Sequence, residues 1–260
     1  LLGFVETVIL FLYAIRWYLF VFVSLKVKRV DNPGKHELNP HSCFVSVLLP
    51  VYNEPNVVDR LLKACTSFNS PQYEVIVVDD SNDGMTREKL EAWRNHPNVK
   101  VIYRDSRRGW KGGALNMGLD YTHPKSTHVL IFDADFIPPS DIVSRFLARF
   151  RDDGVVAVQG YQRHDLNTEE NWITKGVRVW HSIYNMVELN GSSRMGLCSP
   201  LTGSVFMMRT DVLRKLRFEE VITEDWDLTV RLYESGYRVL YDPTLVASGE
   251  CLSTLQRLFR

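Results

Sequence analysis

Cysteine is scarce in this sequence, and the few cysteines form no recognisable motif. The 260 residues contain four of them, at positions 43, 65, 198 and 251. They show no C-x-x-C spacing, and no histidine stands near them at the spacing of a zinc site. The pattern argues against a disulfide framework and against a structural zinc site, and it predicts reduced, buried thiols.

An excess of charge of either sign is also absent. Lysine and arginine total 31, aspartate and glutamate total 31, and the formal net charge is +0. This balance argues against a nucleic-acid surface as the main role, and no nucleic-acid partner is expected. The sequence also lacks G-x-G-x-x-G and G-x-x-x-x-G-K-[ST], so neither the dinucleotide fingerprint nor the P-loop is available to bind phosphate.

One long hydrophobic run is present, at the amino terminus. Residues 1–24 are apolar except for Glu6 and Arg16, and a bilayer core requires about 20 such residues in a helix. We therefore predict a transmembrane helix over 1–24. The basic residues of 26–29 then place the rest of the chain on the cytoplasmic face of a plasma membrane or endomembrane. An amphipathic helix lying on the membrane surface is the alternative, because the run contains two charges.

The remainder alternates between strand and helix patterns after a segment of turn-forming residues. Residues 25–44 contain Asn-Pro-Gly and Asn-Pro and are predicted to be a linker. Apolar runs then alternate with amphipathic stretches, which is typical of βαβ units and a mostly parallel sheet. This predicts an α/β domain over 45–250, with halves at 45–139 and 140–250, and the start of an interfacial amphipathic helix over 251–260.

The run VLIFDADFI, residues 129–137, places two acids where a strand ends. The apolar stretch before Asp133 is predicted to be a buried strand, and two prolines soon after Asp135 prevent it from continuing. Since side chains alternate along an extended chain, both acids are predicted to face the same side. Such carboxylates suit Mg²⁺ or Mn²⁺ with open positions for substrate phosphates. A solvated turn and a phosphatase with Asp133 as nucleophile remain open alternatives.

Other polar residues follow the neighbouring predicted strands. Ligands of such a sheet gather beyond the carboxyl ends of its strands. This rule brings Pro50, Tyr52 and Glu54 together with Asp80 and with the acidic pair. The stretch RRGWKGG, residues 107–113, supplies positive charge, and its glycines would allow the backbone to approach an anion closely.

Six segments taken in order resemble one family. They are VSVLLPVYNE, VVDDSND, RRGWKGGALN, FDADF, TGSVFMMR and TEDWDL. The set resembles glycosyltransferase family 2, the inverting nucleotide-sugar transferases of the GT-A fold, over residues 45–260. Within that family it is similar to membrane polysaccharide synthases of the cellulose, mannan and hyaluronan synthase type. The resemblance implies a GT-A fold with a mostly parallel mixed sheet, preceded by the N-terminal transmembrane helix.

The resemblance also implies which residues bind the donor nucleotide. Asp80 and Glu54 would contact the nucleobase and ribose, in a cleft shared with Pro50 and Tyr52. Lys111 would contact the diphosphate, because it is the cation at the start of the helix that follows.

The remaining implied roles concern the metal and the general base. Asp133 and Asp135 would hold Mg²⁺ or Mn²⁺, and Asp133 would also face the nucleotide. Asp225 would be the base, with Glu224 and Gly203 supporting it or facing the acceptor. Inverting transfer requires a base opposite the leaving nucleoside diphosphate. Without the resemblance, two acids at a helix start would be explained by the helix dipole alone.

The second half of the domain is harder to interpret. Asn167 with Glu170 is predicted to cap a long helix. Its aromatic stripe, which includes Trp172 and Trp180, would line a sugar channel or, more often at helical spacing, pack in the core. Near the C-terminus, ECLST matches the E-L-P-S-T-F pattern of membrane synthases, which places a Q-x-x-R-W motif just after Arg260.

These features predict a membrane-anchored, metal-dependent enzyme in contact with lipid. It would transfer a sugar from a nucleotide-sugar donor, with UDP-sugar favoured, to a growing polysaccharide or glycan. An alternative enzyme acts without processivity on a polyprenyl-phosphate or other lipid-linked acceptor. An Asp-based phosphatase and a non-catalytic nucleotide-sugar-binding module are alternatives of other classes.

Overall fold

Seven strands form one mixed sheet at the centre of the protein, whose computed structural model describes residues 2–26, 42–70, 72–150 and 154–258. The strands are β1 (Phe44–Val51), β2 (Tyr73–Asp79), β3 (Val99–Tyr103), β4 (Ser126–Ile131), β5 (Val155–His164), β6 (Phe206–Arg209) and β7 (Arg238–Gly249). Their order is β3-β2-β1-β4-β6-β5-β7. Neighbouring strands are parallel except that β6 runs antiparallel to both β4 and β5. The predicted mostly parallel mixed sheet is confirmed.

Ten α-helices are described, and one π-helical segment joins two of them. They are α1 (Leu2–Lys26), α2 (Val58–Cys65), α3 (Gly84–Trp93), α4 (Trp110–Asp120), α5 (Ile142–Leu147), α6 (Trp172–Ile183), α7 (Asn190–Arg194), α8 (Thr210–Leu216), α9 (Glu224–Glu234) and α10 (Leu255–Leu258). The π-helical segment, Tyr184–Leu189, connects α6 to α7.

The core lies on both faces of the sheet because the central strands are apolar on both sides. Val47 of β1 is fully buried between its register partners Val75 and Leu130. Helices α2, α3 and α5 contribute to the cluster on one face, and α4, α8 and α9 contribute to the cluster on the other. Such double coverage is what parallel strands require. The sheet therefore presents its strand ends at one rigid edge.

Helix α1 stands apart from this layered core. Its stretch Gly3–Leu25 has a mean hydropathy of 2.1 and is the only helix among the described residues that is long and apolar enough to cross a membrane. Most of its side chains are exposed, but Phe20 is buried against α7. The predicted linker lies mostly outside the described residues, which resume just before β1.

The cap predicted for the long helix of the second half is wrong. Asn167 donates to Glu170 Oε2 (2.9 Å) and to the carbonyl of Cys251 (3.1 Å) instead of capping. Asn171 caps α6, because its Oδ1 accepts from the amide of Thr174 (3.1 Å) and the Thr174 hydroxyl accepts from the amide of Asn171. The chain therefore turns once more before the helix begins.

Two burial predictions also fail in part. Three of the four cysteines are buried as predicted, but Cys198 is exposed. The aromatic stripe of α6 does not pack in the core, since Trp172 is 72% exposed and Trp180 is 61% exposed. The helix turns only Thr174 and Val177 fully inward. Helical spacing predicts which residues share one face of the helix. It does not predict whether another part of the protein covers that face.

Candidate active site

The two acids that follow β4 lie in a turn. The strand ends at Ile131, and the amide of Phe136 donates to the carbonyl of Asp133 (3.2 Å). Strand alternation is therefore the wrong reason for Asp133 and Asp135 to face one side. Both carboxyl groups nevertheless line the same cavity, because the turn folds around the small Ala134 between them.

All of the residues predicted to bind the donor line that cavity, whose volume is about 330 Å³. We call it the donor cavity after that prediction. In chain order they are Pro50, Tyr52, Glu54, Asp80, Lys111, Asp133 and Asp135. The cavity lies at the carboxyl ends of β1, β2 and β4, so strand topology brings together residues that are far apart in sequence. A second cavity, of about 490 Å³, shares Tyr52, Asp80 and Arg107 with the first. The Arg107 guanidinium lies 3.5 Å from the ring centre of Tyr52, between the two cavities.

Lys111 stands in the first turn of α4 and connects the two halves of the site. Its Nζ lies 2.5 Å from Asp133 Oδ1, donates to the carbonyl of Gly203 (2.8 Å) and lies 3.9 Å from Glu224 Oε1. Burial alone lowers the pKa of Lys111, but the carboxylates of Asp133 and Glu224 outweigh it, so that the net pKa is raised. The ammonium is therefore a permanent positive charge beside the cavity.

The glycines next to Lys111 serve the protein rather than an anion. A Cβ built on Gly112 would lie 2.7 Å from the carbonyl oxygen of Glu219, and one built on Gly113 would lie 2.1 Å from that of Arg108. Neither glycine lines the donor cavity. Arg108 also points elsewhere, because its exposed guanidinium pairs with Glu220 (3.1 Å). Lys111 and Arg107 thus line the cavity, whereas Arg108, Gly112 and Gly113 do not, and binding of an anion by this stretch stays a prediction.

The loop before β6 reaches Asp133 because β6 pairs with β4. The amide of Val205 donates to Ile131 (2.9 Å), and the hydroxyl of Ser204 accepts from the amide of Asp133 (2.8 Å). Gly203 then adopts a positive φ of 78°. A Cβ built on it would lie 3.2 Å from Lys111 Nζ and 3.3 Å from Asp225 Oδ2. This position therefore favours glycine for its conformation, and a larger residue would press on the ends of the Lys111 and Asp225 side chains.

Two buried glutamines of β5 hold this loop and were missed by the sequence analysis. Gln159 accepts from the amide of Thr202 (2.9 Å) and donates to the carbonyl of Ser204 (2.9 Å). Gln162 donates to the same two residues through their carbonyl oxygens, at 2.6 Å and 2.9 Å. Amide side chains inside an otherwise apolar strand were the available signal, because buried polar groups need partners.

The candidate base lies at the start of α9. Thr223 precedes the helix without capping it through its side chain, and Glu224 and Asp225 occupy the first turn. Burial raises the pKa of Asp225, against the opposing effects of the Trp226 amide and Lys111. Burial also raises the pKa of Glu224, while Lys111 lowers it. Both side chains thus lie near the Lys111 ammonium, next to Gly203. Acids that served only the helix dipole would not need to face a lysine.

Arg104 fixes the acid predicted to meet the nucleobase and was also missed. It follows β3, is nearly buried, and donates to Asp80 Oδ2 (2.9 Å). The same guanidinium donates to the carbonyls of Arg108 and Trp110, which lead into α4. Burial raises the pKa of Asp80, and Arg104 is the largest opposing effect. The rule that ligands gather at strand ends could have identified Arg104, since it follows a predicted strand directly.

The carboxylates of Asp133 and Asp135 fit a divalent cation that would take most of its other ligands from a bound substrate. Burial and the neighbouring Asp133 raise the pKa of Asp135 to about 7, which is the environment in which a bound cation replaces a proton. Within the described part of the chain, no group of three or more histidine, cysteine or acidic residues is arranged to hold a metal. Two carboxylates suit Mg²⁺ or Mn²⁺, which take further ligands from phosphates and water.

A cavity at the carboxyl ends of strands, lined by acids and flanked by a lysine and a separate carboxylate pair, is where an open α/β sheet binds its ligand. Comparison with known proteins identifies the family. The model for glycosyl transferase family 2 matches residues 46–217. The chain belongs to this family.

The relatives and solved structures agree with this family and with the GT-A fold. The chain is 30% identical over 225 residues to probable glucomannan 4-beta-mannosyltransferase 3 from Oryza sativa subsp. japonica, covering 82% of this chain and 40% of that protein. It is 32% identical over 214 residues to beta-monoglucosyldiacylglycerol synthase from Nostoc sp., covering 79% and 45%. The mannosyltransferase PcManGT from Pyrobaculum calidifontis, solved with GDP-Man and Mn²⁺, has a TM-score of 0.73 at 23% identity and covers 98% of this chain and 71% of its own.

The chain spans about two fifths of the length of the curated mannosyltransferase relatives that it matches. The family match favours the transferase prediction over the phosphatase alternative. The shared fold explains why residues of the first four segments line one cavity, with Gly203 and Asp225 placed beside Lys111.

Proposed function

We propose that this chain carries the catalytic domain of a membrane-anchored inverting glycosyltransferase that extends a polysaccharide or glycan from a UDP- or GDP-activated hexose. The observation that carries the proposal is that Lys111 and Asp225 meet at Gly203, beside the cavity lined by Asp133 and Asp135, with Glu224 3.9 Å from Lys111. This arrangement separates a diphosphate side from a base side, as inverting transfer requires.

In the proposed reaction, Asp225 accepts the proton of the acceptor hydroxyl as that oxygen attacks the anomeric carbon. Its raised pKa makes it a better base than an exposed carboxylate. Lys111 contributes positive charge toward the departing diphosphate, and Glu224 and Asp133 hold its ammonium in place. A divalent cation bound by Asp133 and Asp135 would supply electrophilic stabilisation of the leaving group.

The test is to supply membranes containing the full-length protein with UDP-glucose, UDP-N-acetylglucosamine and GDP-mannose in turn. We expect one of them to release nucleoside diphosphate together with a glycan product. Asp225→Asn should reduce that release by about 10²- to 10⁴-fold, the usual contribution of a general base. Nucleotide affinity measured by calorimetry should be retained, because the base acts on the acceptor.

The matched control is Asp227→Asn, which changes an acid in the same first turn. Asp227 accepts a hydrogen bond from the Arg231 side chain (2.8 Å). It is not one of the acids placed beside Lys111 and Gly203. Near-normal transfer is expected. A full rate with Asp225→Asn would remove the base assignment. A non-catalytic binding module would instead bind nucleotide without releasing nucleoside diphosphate from any of the donors.

A second candidate is non-processive transfer to a lipid-linked acceptor. The similarity to beta-monoglucosyldiacylglycerol synthase, at 32% identity, supports it. The two candidates differ in product, since a lipid acceptor yields one organic-soluble glycolipid and a growing glycan yields a ladder of lengths. Thin-layer and size analysis of the labelled product separates them.

A further inference from the structure

Helix α9 carries polar side chains on one face beyond the acids of its first turn. Asp225, Thr229 and Tyr233 follow one another at intervals of four residues, so their side chains lie on the same side of the helix. Thr229 is only 1% exposed, although its side chain is polar. A buried hydroxyl needs hydrogen-bond partners, and one partner of Thr229 lies on the segment that leads to Gly203.

Each of the three side chains meets one residue of the segment 199–203, taken in reverse order. The pairs are Asp225 with Gly203, Thr229 with Leu201 and Tyr233 with Ser199. The amide of Leu201 donates to Thr229 Oγ1 (2.9 Å). The amide of Ser199 donates to the Tyr233 hydroxyl (2.8 Å). The backbone of the segment is therefore bonded to α9 through side chains.

The dimensions of a helix and of an extended chain explain this order. Four residues of an α-helix advance about 6 Å along its axis, and two residues of an extended chain advance about 6.6 Å. Pro200 favours an extended conformation of the residue before it. Steps of four on α9 and steps of two on the segment thus stay in register. Since Thr229 and Tyr233 fix that register, the carboxyl group one turn before Thr229 lies beside Gly203.

Thr229 is also bonded to the backbone of the candidate base. Its hydroxyl donates to the carbonyl of Asp225 (2.7 Å), one turn earlier in the helix. Threonines inside helices commonly make this bond, and it need not involve any other element. Here the same oxygen accepts from the Leu201 amide. One buried hydroxyl therefore joins the backbone of Asp225 to the loop before β6.

We propose that Thr229, together with Tyr233, is a positioning residue that sets the place of Asp225 relative to the loop before β6 and to the donor side of the site. Neither hydroxyl lines the donor cavity, so neither acts by contact with the nucleotide. The glutamines of β5 hold the other side of the loop and give α9 a fixed support. The inference rests on the role of Asp225 in the proposed function.

The experiment compares two substitutions of Thr229 in the full-length protein. Thr229→Val keeps the shape of the side chain and removes both hydrogen bonds, whereas Thr229→Ser keeps the hydroxyl. The matched control is Thr210→Val, because Thr210 is also 1% exposed and its hydroxyl lies 3.2 Å from Ser126 Oγ. Thr210 follows β6 at the edge of the sheet opposite the cavity. Rates are expressed per binding site, counted by calorimetry with the nucleoside diphosphate of the donor that the release assay selects.

We expect Thr229→Val to lower kcat about tenfold and to leave the KM of the donor within about twofold. A displacement of about 1 Å at a catalytic group costs about 10²-fold, and the loss of this contact permits a smaller one. Thr229→Ser should stay within about twofold of the wild type in kcat, and Thr210→Val should leave it unchanged. Hydrogen exchange should become faster both in 199–205 and in the first turn of α9 in Thr229→Val, because the bond that joins them is lost.

An unchanged kcat in Thr229→Val would overturn the inference, whatever the exchange rates. Equal losses in Thr229→Ser and Thr229→Val would also overturn it, because the hydroxyl would then not be the cause. If Thr229→Val does not bind nucleotide, Tyr233→Phe replaces it. That variant loses only the acceptor of the Ser199 amide, and a fall in kcat of less than about threefold would count against the inference.

Failure of the proposed function gives a different result. A full rate with Asp225→Asn would remove the base, and the kinetic part of the inference would fall with it. The exchange measurement tests the contact between loop and helix without any catalysis, so the two failures are distinguishable.

Discussion

At the residue scale, Lys111 determines the electrostatic balance of the candidate site. Its ammonium contacts Asp133 at 2.5 Å and the Gly203 carbonyl at 2.8 Å, with Glu224 at 3.9 Å. One positive charge is thus shared among several acids, with Asp135 close to Asp133. The remaining negative charge favours the binding of a divalent cation, which neutralises more of it than a second lysine would.

Asp135 offers a direct test of this balance. Asp135→Ala should weaken binding of the nucleoside diphosphate in saturating Mn²⁺ by about tenfold or more, because a cation held by fewer ligands binds the phosphates less well. Calorimetry with and without Mn²⁺ measures the effect. Undiminished affinity would contradict the metal role of Asp135. Asp141→Ala changes an exposed acid outside the donor cavity and should leave the affinity unchanged.

Gly203→Ala tests whether the loop before β6 sets the position of Lys111 and Asp225. The added methyl would lie 3.2 Å from Lys111 Nζ and 3.3 Å from Asp225 Oδ2, on a backbone with φ of 78°. We expect transfer to fall by about tenfold, since the methyl group displaces the two side-chain ends by less than the distance of about 1 Å that costs about 10²-fold. Steady-state kinetics measure it.

The control for backbone strain is Gly196→Ala. Gly196 has a similar positive φ of 68°, but a Cβ built there meets no atom within 4 Å. It should lower the free energy of unfolding by about 1 kcal/mol, as expected for alanine in a left-handed conformation, and leave kcat unchanged. Equal kinetic losses in the two variants would mean that strain alone explains the effect at Gly203.

His128 predicts how stability depends on pH. Burial, with a smaller contribution from Arg209, lowers the pKa of His128 to about 4. The unfolded chain binds a proton near pH 6.5 whereas the folded protein does not, so stability is fully present above pH 6.5 and is lost as the pH falls toward 4. The change is about 3 kcal/mol at most. Urea unfolding of detergent-solubilised protein measures it.

His128→Gln should flatten that dependence, because glutamine can replace the contact with Thr127 Oγ1 (2.9 Å) without titrating. The nearby Arg209 and Asp211 pair with each other, at 2.7 Å, and remain in the variant. An unchanged slope between pH 4 and 6.5 would assign the acid sensitivity to other groups.

At the element scale, strand ends were predictable and turns were not. Alternating apolar runs predicted the strands, and the strand-end rule predicted the cavity that collects Glu54, Asp80 and Asp133. The path of the chain between strands depends on hydrogen bonds that periodicity does not encode. Asn171 rather than Asn167 caps α6, and a turn rather than an extended chain presents Asp135. Gln159 and Gln162 were missed because their partners lie on another strand and its loop.

Arg104 joins three elements, and its replacement should loosen all of them. The guanidinium connects Asp80 after β2 with the carbonyls that lead into α4. Arg104→Lys keeps the charge but loses the fork that serves several acceptors at once. We expect nucleotide affinity to fall by about tenfold, the value of a charge-assisted hydrogen bond. Arg108→Lys, on an exposed side chain of the same loop, should leave affinity unchanged.

At the scale of the whole molecule, one antiparallel strand, β6, joins the two predicted halves of the sheet. β6 pairs with β4 of the first half and with β5 of the second. The loop before it therefore carries Gly203 to Asp133, while α9 brings Asp225 to the same place. The proposed donor and base sides come from separate parts of the chain, which is why no single segment of the sequence reveals the site.

The joint between α1 and the domain provides the last prediction. Arg16→Glu or Glu188→Arg alone places like charges together at this contact, and we expect a loss of about 3 kcal/mol in stability. Combining the two substitutions restores a pair of opposite charges with their positions exchanged. The double variant should recover most of the lost stability. Melting in lipid nanodiscs measures the recovery.

The comparison pair is Glu91 and Arg94 on the exposed surface of α3, 3.4 Å apart, where the same exchange should change little. A double variant no better than the single variants would mean that the pair does not hold α1 against the domain. Recovery would show that α1 and the domain form one unit, held together by the charge that the apolar helix carries.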